Sequence, residues 1–248
     1  MPGKRGERAP TVGERARAVE VVDRLGREMP EARIALEFQD DVQLLVSVIL
    51  SAQSTDARVN IVSPALFAQF PDAAAYAAVR PQELWPFIRT LGLFRAKAKS
   101  IVGAMRLIAE DHGGRVPRDR AALEALPGVG RKTAGVVLIH LGAGHAFPVD
   151  THVGRVARRL GFTRETEPGR VEERLMQLLP QDSWARGHQL FVWHGRRTCT
   201  ALRPACERCA VGELCPKVGV RGPGLARRPS DSPSAVRRAH RSNLRRAR

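Results

Sequence analysis

Lys132 and Asp150 are the two residues of this 248-residue chain whose types and placement first invite reaction chemistry. They stand inside LPGVGRKTAGVVLIHLGAGHAFPVDTH, residues 126–152. A neutral lysine amine is a nucleophile, and a carboxylate can remove a proton or stabilise developing positive charge. Lys132 lies near the start of a helical pattern, where the helix dipole disfavours a cation and partial burial beside Arg131 would favour the neutral amine. A solvated charge or an ordinary phosphate contact is the alternative. Asp150 opens the helical pattern 151–160, where an aspartate also serves as an N-cap. Both roles can share one side chain, since a helix N-terminus favours the charged carboxylate. Between the helical patterns, Pro127, Gly128 and Gly130 force a tight turn. Both glycines can take positive φ and admit another backbone, so the N–H groups of the hairpin and of the next helix form an anion site into which a DNA phosphate fits. GVGRKT is not the phosphate loop of nucleotide hydrolases, because Arg131 separates Gly130 from Lys132 and no strand precedes the turn.

The second chemical group is Cys199, Cys206, Cys209 and Cys215, spaced x6, x2 and x5. Four cysteines crowded this closely in a reducing compartment point to a metal or cluster rather than disulfides. Zinc sites more often pair two CxxC-like knuckles and only one CxxC is present, yet zinc stays open on spacing alone. The spacing also differs from the common ferredoxin runs. His140, His145 and His152 match no zinc signature and are read as hydrogen-bonding or surface residues.

LPGVGRKTA followed by PVDTHVGRVARRLG resembles the helix-hairpin-helix DNA glycosylases, specifically their endonuclease III branch, and the likeness extends over about 12–218. The resemblance implies that Lys132 and Asp150 are the catalytic pair. The lysine would attack C1′ of a flipped nucleotide, expel the base, form a Schiff base with the sugar and permit β-elimination. Gln53 within LSAQSTD would fill the hole left in the duplex, and Leu93 within TLGLFRAKAKSI would be a second wedge. From the residues alone, Gln53 is a polar helix end and Leu93 a small core anchor. Gly128, Val129, Gly130, Arg131, Thr133, His152 and Arg203 complete the implied DNA-contacting set. Arg95, Lys97 and Lys99 are phosphate contacts or a solvated face. The cysteine spacing coincides with the family's pattern, which implies one [4Fe–4S] cluster.

Composition suits this. The formal charge of +16 points to a polyanionic partner, and nucleic acid is the commonest. Residues 222–248 hold eight Arg against one Asp, so +7 lies there and the body keeps +9. Aromatic content of 5% argues against a single-strand binder built on stacking. No apolar run approaches the roughly 18 residues of a membrane span, and MPGKRGERAP lacks a signal's apolar core, so a cytoplasmic, nucleoid-associated protein is expected. The expected partner is duplex DNA with damaged bases or abasic sites, bound by a monomer.

The elements that must position these residues read as helices. Residues 12–29 form an amphipathic helix ending at Met29-Pro30, and the apolar run 42–50 is a buried helix or, on periodicity alone, a buried strand. Helices follow over 57–70, 72–79, 81–89 and from about 93, then 121–126, 133–141, 151–160, 169–179 and 182–197. The fold class is therefore all-α. The resemblance implies two lobes: a six-helix barrel over 34–144 holding the helix-hairpin-helix at 121–142, and a cluster lobe combining 13–33 with 145–221, its cysteine loop at 199–215. Residues 1–12 and 222–248 read as disordered basic segments. The expected activity is a bifunctional glycosylase and abasic-site lyase on oxidised pyrimidines. The alternatives are a non-catalytic damage-binding paralogue and a mismatch-specific glycosylase of the same superfamily.

Overall fold

The computed structural model describes residues 7–143 and 146–220. The tail 222–248, the first six residues of the basic arm and His145 lie outside the described residues. Among the described residues the chain forms α-helices and two short 3-10 turns, with no strand.

Polar residues just outside the helices set most of their starts. Helix α1 (Val12–Glu28) begins at a reciprocal capping box, Thr11 Oγ1 accepting from Glu14 N at 3.2 Å while the Glu14 carboxylate accepts from Thr11 N at 2.8 Å. Asp40 caps α2 (Asp41–Ser51), Thr55 caps α3 (Asp56–Gln69), Asp72 caps α4 (Ala73–Ala77) and Asp119 caps α7 (Arg120–Ala125). Each cap satisfies a backbone donor that the helix itself cannot. The run Leu44–Leu50 in α2 is buried without a break. Its period could not separate strand from helix because no face is solvated. Helices α3, α6 (Phe94–Asp111) and α8 (Arg131–His140) enclose it, and a helix apolar all round belongs in such a place.

Two apolar cores result. The first runs from Leu36 to Ala146 and fills the space among α2 to α8, α5 being Pro81–Ile88. The second joins Ala18, Val21, Val22 and Leu25 of α1 to Phe147 and the apolar faces of α9 (Thr151–Arg159), α10 (Pro168–Leu178) and α11 (Trp184–Arg197). The chain passes from one core to the other between Ala146 and Phe147, immediately before Asp150.

Some starts differ from the sequence expectation. Helix α8 begins at Arg131 rather than Thr133, so Lys132 is its second residue. The helix expected from 182 opens instead as a 3-10 turn, Gln181–Ser183, before α11. Trp184 pins that junction by donating its indole N–H to Leu179 O at 2.9 Å. Of the two hairpin glycines, only Gly128 takes positive φ, at 79°. A Cβ there would lie 2.5 Å from Ser100 Cβ, so the close approach is to α6. Gly130 has φ −94° and simply precedes α8.

Candidate active site

Helices α7 and α8, with Leu126–Gly130 between them, form the helix-hairpin-helix. Val129 N donates to Leu126 O at 3.1 Å and its side chain is buried, so Val129 fastens the turn rather than offering a donor outward. No side chain caps the first N–H groups of α8, and Gly128 and Gly130 before them are exposed. That arrangement accepts an anion. Arg131 is otherwise engaged: its Nε donates to Glu172 at 2.9 Å, so the guanidinium expected on DNA ties the hairpin to α10. Thr133 is half-buried and lines the pocket described below.

Lys132 is exposed. The partial burial expected of it is absent from the protein alone, because the second position of α8 faces outward. Asp150 caps α9, accepting from Val153 N at 2.8 Å. The two share a neighbour. Buried His188 of α11 lies within electrostatic reach of both, Asp150 favouring its charged form and Lys132 opposing it. Burial outweighs both influences and holds the ring well below the usual histidine range. His188 Nδ1 lies 2.9 Å from Pro148 O, which fastens α11 to the loop preceding Asp150.

Lys132, Gln53, Thr133 and Gln189 line one pocket of about 230 Å³, with Val136, Val192 and Trp193 among its apolar walls. It is smaller than the roughly 300–1,000 Å³ of drug-sized ligand sites, and suits a single base.

Gln53 and Leu93 stand out by backbone conformation. With Lys217 they are the non-glycine residues at positive φ among those described, at 54° and 57°. Such residues carry strain of order 1–3 kcal/mol and persist only where the surroundings hold them. Both are exposed, and their loops are joined. Lys97 Nζ donates to Ser54 Oγ at 2.7 Å, and a Cβ on Gly92 would lie 3.5 Å from Gln53 O. Lys97 is therefore buried beneath the loops, not on a phosphate-binding face, and burial lowers its amine below the usual lysine range. Arg95 instead stacks over Trp85 and Phe94. Gln53→Gly should raise Tm by about 2 °C, from relief of roughly 1 kcal/mol of left-handed strain in a chain of this size. Calorimetry on the purified variant checks the sign.

His152 is half-buried against α11, where a Cβ on Gly195 would come within 2.8 Å of His152 Cβ. Arg155 faces its Nδ1 at 3.1 Å, so the ring's remaining Nε2 is the atom able to donate elsewhere. Arg203 is exposed, and its carbonyl accepts from Thr200 Oγ1 at 2.8 Å.

The four cysteines carry free, half-buried thiols around one loop. Burial pushes the Cys209 and Cys215 thiols up, and mutual repulsion among the four adds to this, so they lie within electrostatic reach of one another. Arg159 donates to Cys199 Sγ at 3.4 Å, and Lys217 N donates to Cys215 Sγ at 3.3 Å. Positive charge and N–H groups aimed at sulfur suit thiolate ligands. Among the described residues no three His, Cys, Asp or Glu side chains gather as closely as one metal ion requires. Four cysteine thiols on one loop are a donor set that a single zinc ion or an iron–sulfur cluster can use.

Comparison with known proteins gives concordant results. Residues 46–181 match the model of the HhH-GPD superfamily base excision DNA repair proteins. The chain is 48% identical to endonuclease III of Synechocystis over 201 residues, covering 81% of this chain and 92% of that one. It is 39% identical to endonuclease III of Escherichia coli strain K12, covering 81% and 95%. A solved structure of a trapped endonuclease III–DNA covalent intermediate, in an estranged-adenine complex, superposes with a TM-score of 0.76 at 39% identity, covering 82% of this chain and 96% of that one.

Proposed function

The chain belongs to the endonuclease III family of the HhH-GPD superfamily, and from that premise we propose that Lys132 and Asp150 perform its glycosylase and abasic-site lyase chemistry on oxidised pyrimidines in duplex DNA. It is a base excision repair enzyme that acts on DNA. The observation that carries the residue assignment is the shared neighbourhood of Lys132 and Asp150 around buried His188, beside a pocket that Lys132 and Gln53 both line.

Gln53 and Leu93 enter the duplex from their joined loops as the damaged nucleotide turns outward, and the uncapped start of α8 receives a backbone phosphate. The unprotonated Lys132 Nζ attacks C1′; a C–N bond forms as the bond to the base breaks, and the base leaves with a proton. Asp150 stabilises the positive charge that develops on the sugar. Ring opening gives the Schiff base, loss of a C2′ proton breaks the C3′–O bond, and water then releases Lys132. Arg203 binds phosphate from the cysteine loop, and His152 contacts DNA through Nε2.

Cys199, Cys206, Cys209 and Cys215 would hold one [4Fe–4S] cluster, which when bound cross-links the loop 199–215 through four iron–thiolate bonds. The protein's contribution there is charge. Arg159 binds Cys199 Sγ together with the carbonyls of Thr200 and Ala201, so the same guanidinium shapes the loop and offsets thiolate charge. The protein acts as a monomer.

Borohydride tests the activity directly, because it reduces a Schiff base to a stable amine. Duplexes carrying thymine glycol or an abasic site should each yield a covalent adduct; tight binding with neither adduct nor strand cleavage would overturn the lyase assignment. Asp150→Asn should fold normally, since asparagine caps helices as well as aspartate does. Its base excision should nevertheless fall by about 10²–10⁴, the usual scale for losing a positioned charge or base. Unchanged excision would remove Asp150 from the chemistry.

A further inference from the structure

His140 ends α8 and Gln189 lies midway along α11, and the two meet where Gln189 Nε2 stands 3.1 Å from His140 Nε2. The contact has one chemical solution. His140 Nδ1 lies 2.7 Å from Val136 O, and a carbonyl only accepts, so Nδ1 carries the proton. The Nε2 of that neutral ring is then an acceptor. Burial lowers the ring below the usual histidine range and keeps it neutral. What faces an acceptor must be the amide NH2 of Gln189, which settles the orientation of the carboxamide from its network.

The consequence falls in the pocket. Gln189 lines it together with Lys132, while Val136, Val192 and Trp193 supply apolar wall. With one Nε2–H donated to His140 the carboxamide is held in one orientation; its Oε1 can only accept, while the second N–H stays a donor beside it. Bases derived from thymine and uracil carry an N3–H between two carbonyls. That N–H is the donor on their pairing edge.

We propose that Gln189 Oε1, oriented by His140, accepts a hydrogen bond from N3–H of the flipped pyrimidine and thereby selects lesions that retain an imide. This rests on the glycosylase reading of the pocket. A site built around a fixed acceptor rejects a ligand lacking the donor, because the acceptor is left unpaired away from water. Gln189 thus acts on recognition of the base, whereas cleavage at an abasic site has no base to recognise.

The test compares single-turnover excision of 5,6-dihydrothymine and of its 3-methyl derivative with strand cleavage at an abasic site, using full-length wild type, Gln189→Leu and His140→Phe. Wild type should excise dihydrothymine about 10–100-fold faster than the 3-methyl base, the scale of one buried hydrogen bond. Gln189→Leu, of similar volume, should lower the ratio of dihydrothymine excision to abasic-site cleavage about 10–100-fold and treat the two bases alike. His140→Phe keeps a ring packed against Phe38 but frees the amide, so discrimination should shrink there as well. The proposal is overturned if Gln189→Leu leaves that ratio unchanged. It is equally overturned if the leucine variant still discriminates, which would mean that the methyl group merely clashes. The wild-type comparison needs no substitution, and equal rates on the two bases would also end the proposal. Excision without abasic-site cleavage by wild type would instead count against the lyase reading, and neither activity would overturn both.

Discussion

Lys132→Gln should eliminate the borohydride-trapped adduct on both a thymine glycol duplex and an abasic duplex, and lower strand cleavage by at least about 10³-fold, as removal of an essential nucleophile does. The fold should survive. Lys132 is exposed, and a substitution at such a site usually changes stability by no more than about 0.5 kcal/mol. Its neighbour Arg131, not Lys132, carries the ion pair that anchors the start of α8. DNA affinity at fixed salt should fall only by about one phosphate contact, and a loss of binding as large as the loss of cleavage would make Lys132 a binding residue instead. The comparison also bears on how the amine becomes usable. An amine attacks only when unprotonated, and the free protein leaves this one in water, so the exclusion of water must come with the duplex. The pH–rate profile of the preformed complex is therefore the informative one.

Much of this architecture was written in local chemistry. Thr11, Asp40, Thr55, Asp72, Asp119 and Asp150 each cap a helix within a residue or two of where short-range signals put it, because a cap depends only on its next three residues. The apolar run of α2 was ambiguous for the opposite reason. Its conformation is decided by packing against α3, α6 and α8, the last two of which are distant in sequence. The same division runs through the site. The hairpin and the position of Asp150 could be read from glycine, proline and cap signals, but the partner of Arg131 could not. Lys97 looked like one of several basic residues along α6, and only the fold buries it under Ser54. Nor did Gln189 carry any signal, since its role depends on a hydrogen bond to a residue 49 positions away. Glu172 did leave a trace: it follows Val171, on the helix that also buries Leu175 and Leu178, so a carboxylate lies near the apolar face and demands a partner.

Glu172→Ala should destabilise the protein by about 3 kcal/mol, the lower end of the range for breaking a buried ion pair, and lower Tm by roughly 6–12 °C. The carboxylate is 4% exposed and every polar contact it makes crosses a boundary. Oε1 accepts from Arg120 Nη2 of α7 at 2.6 Å and from the buried N–H of Phe147 at 3.2 Å, while Oε2 accepts from Arg131 Nε of α8 at 2.9 Å. One side chain from α10 thus joins both helices of the hairpin to the residue at which the chain leaves the first core for the second. Alanine would strand the Phe147 N–H and bring two guanidinium groups near each other without their shared anion. Arg131 tempers the loss, since half its side chain is in water and can be rehydrated, which is why the lower end applies. Function should suffer beyond stability. The N-terminus of α8 carries uncapped backbone amides and Lys132, and without Glu172 its anchorage to α10 is lost. At a temperature where the variant remains folded, excision should drop more than DNA affinity. A double-mutant cycle with Arg131→Ala, read by denaturant unfolding, should give a coupling of at least about 1 kcal/mol, and additive effects would show that Arg131 is not held by Glu172.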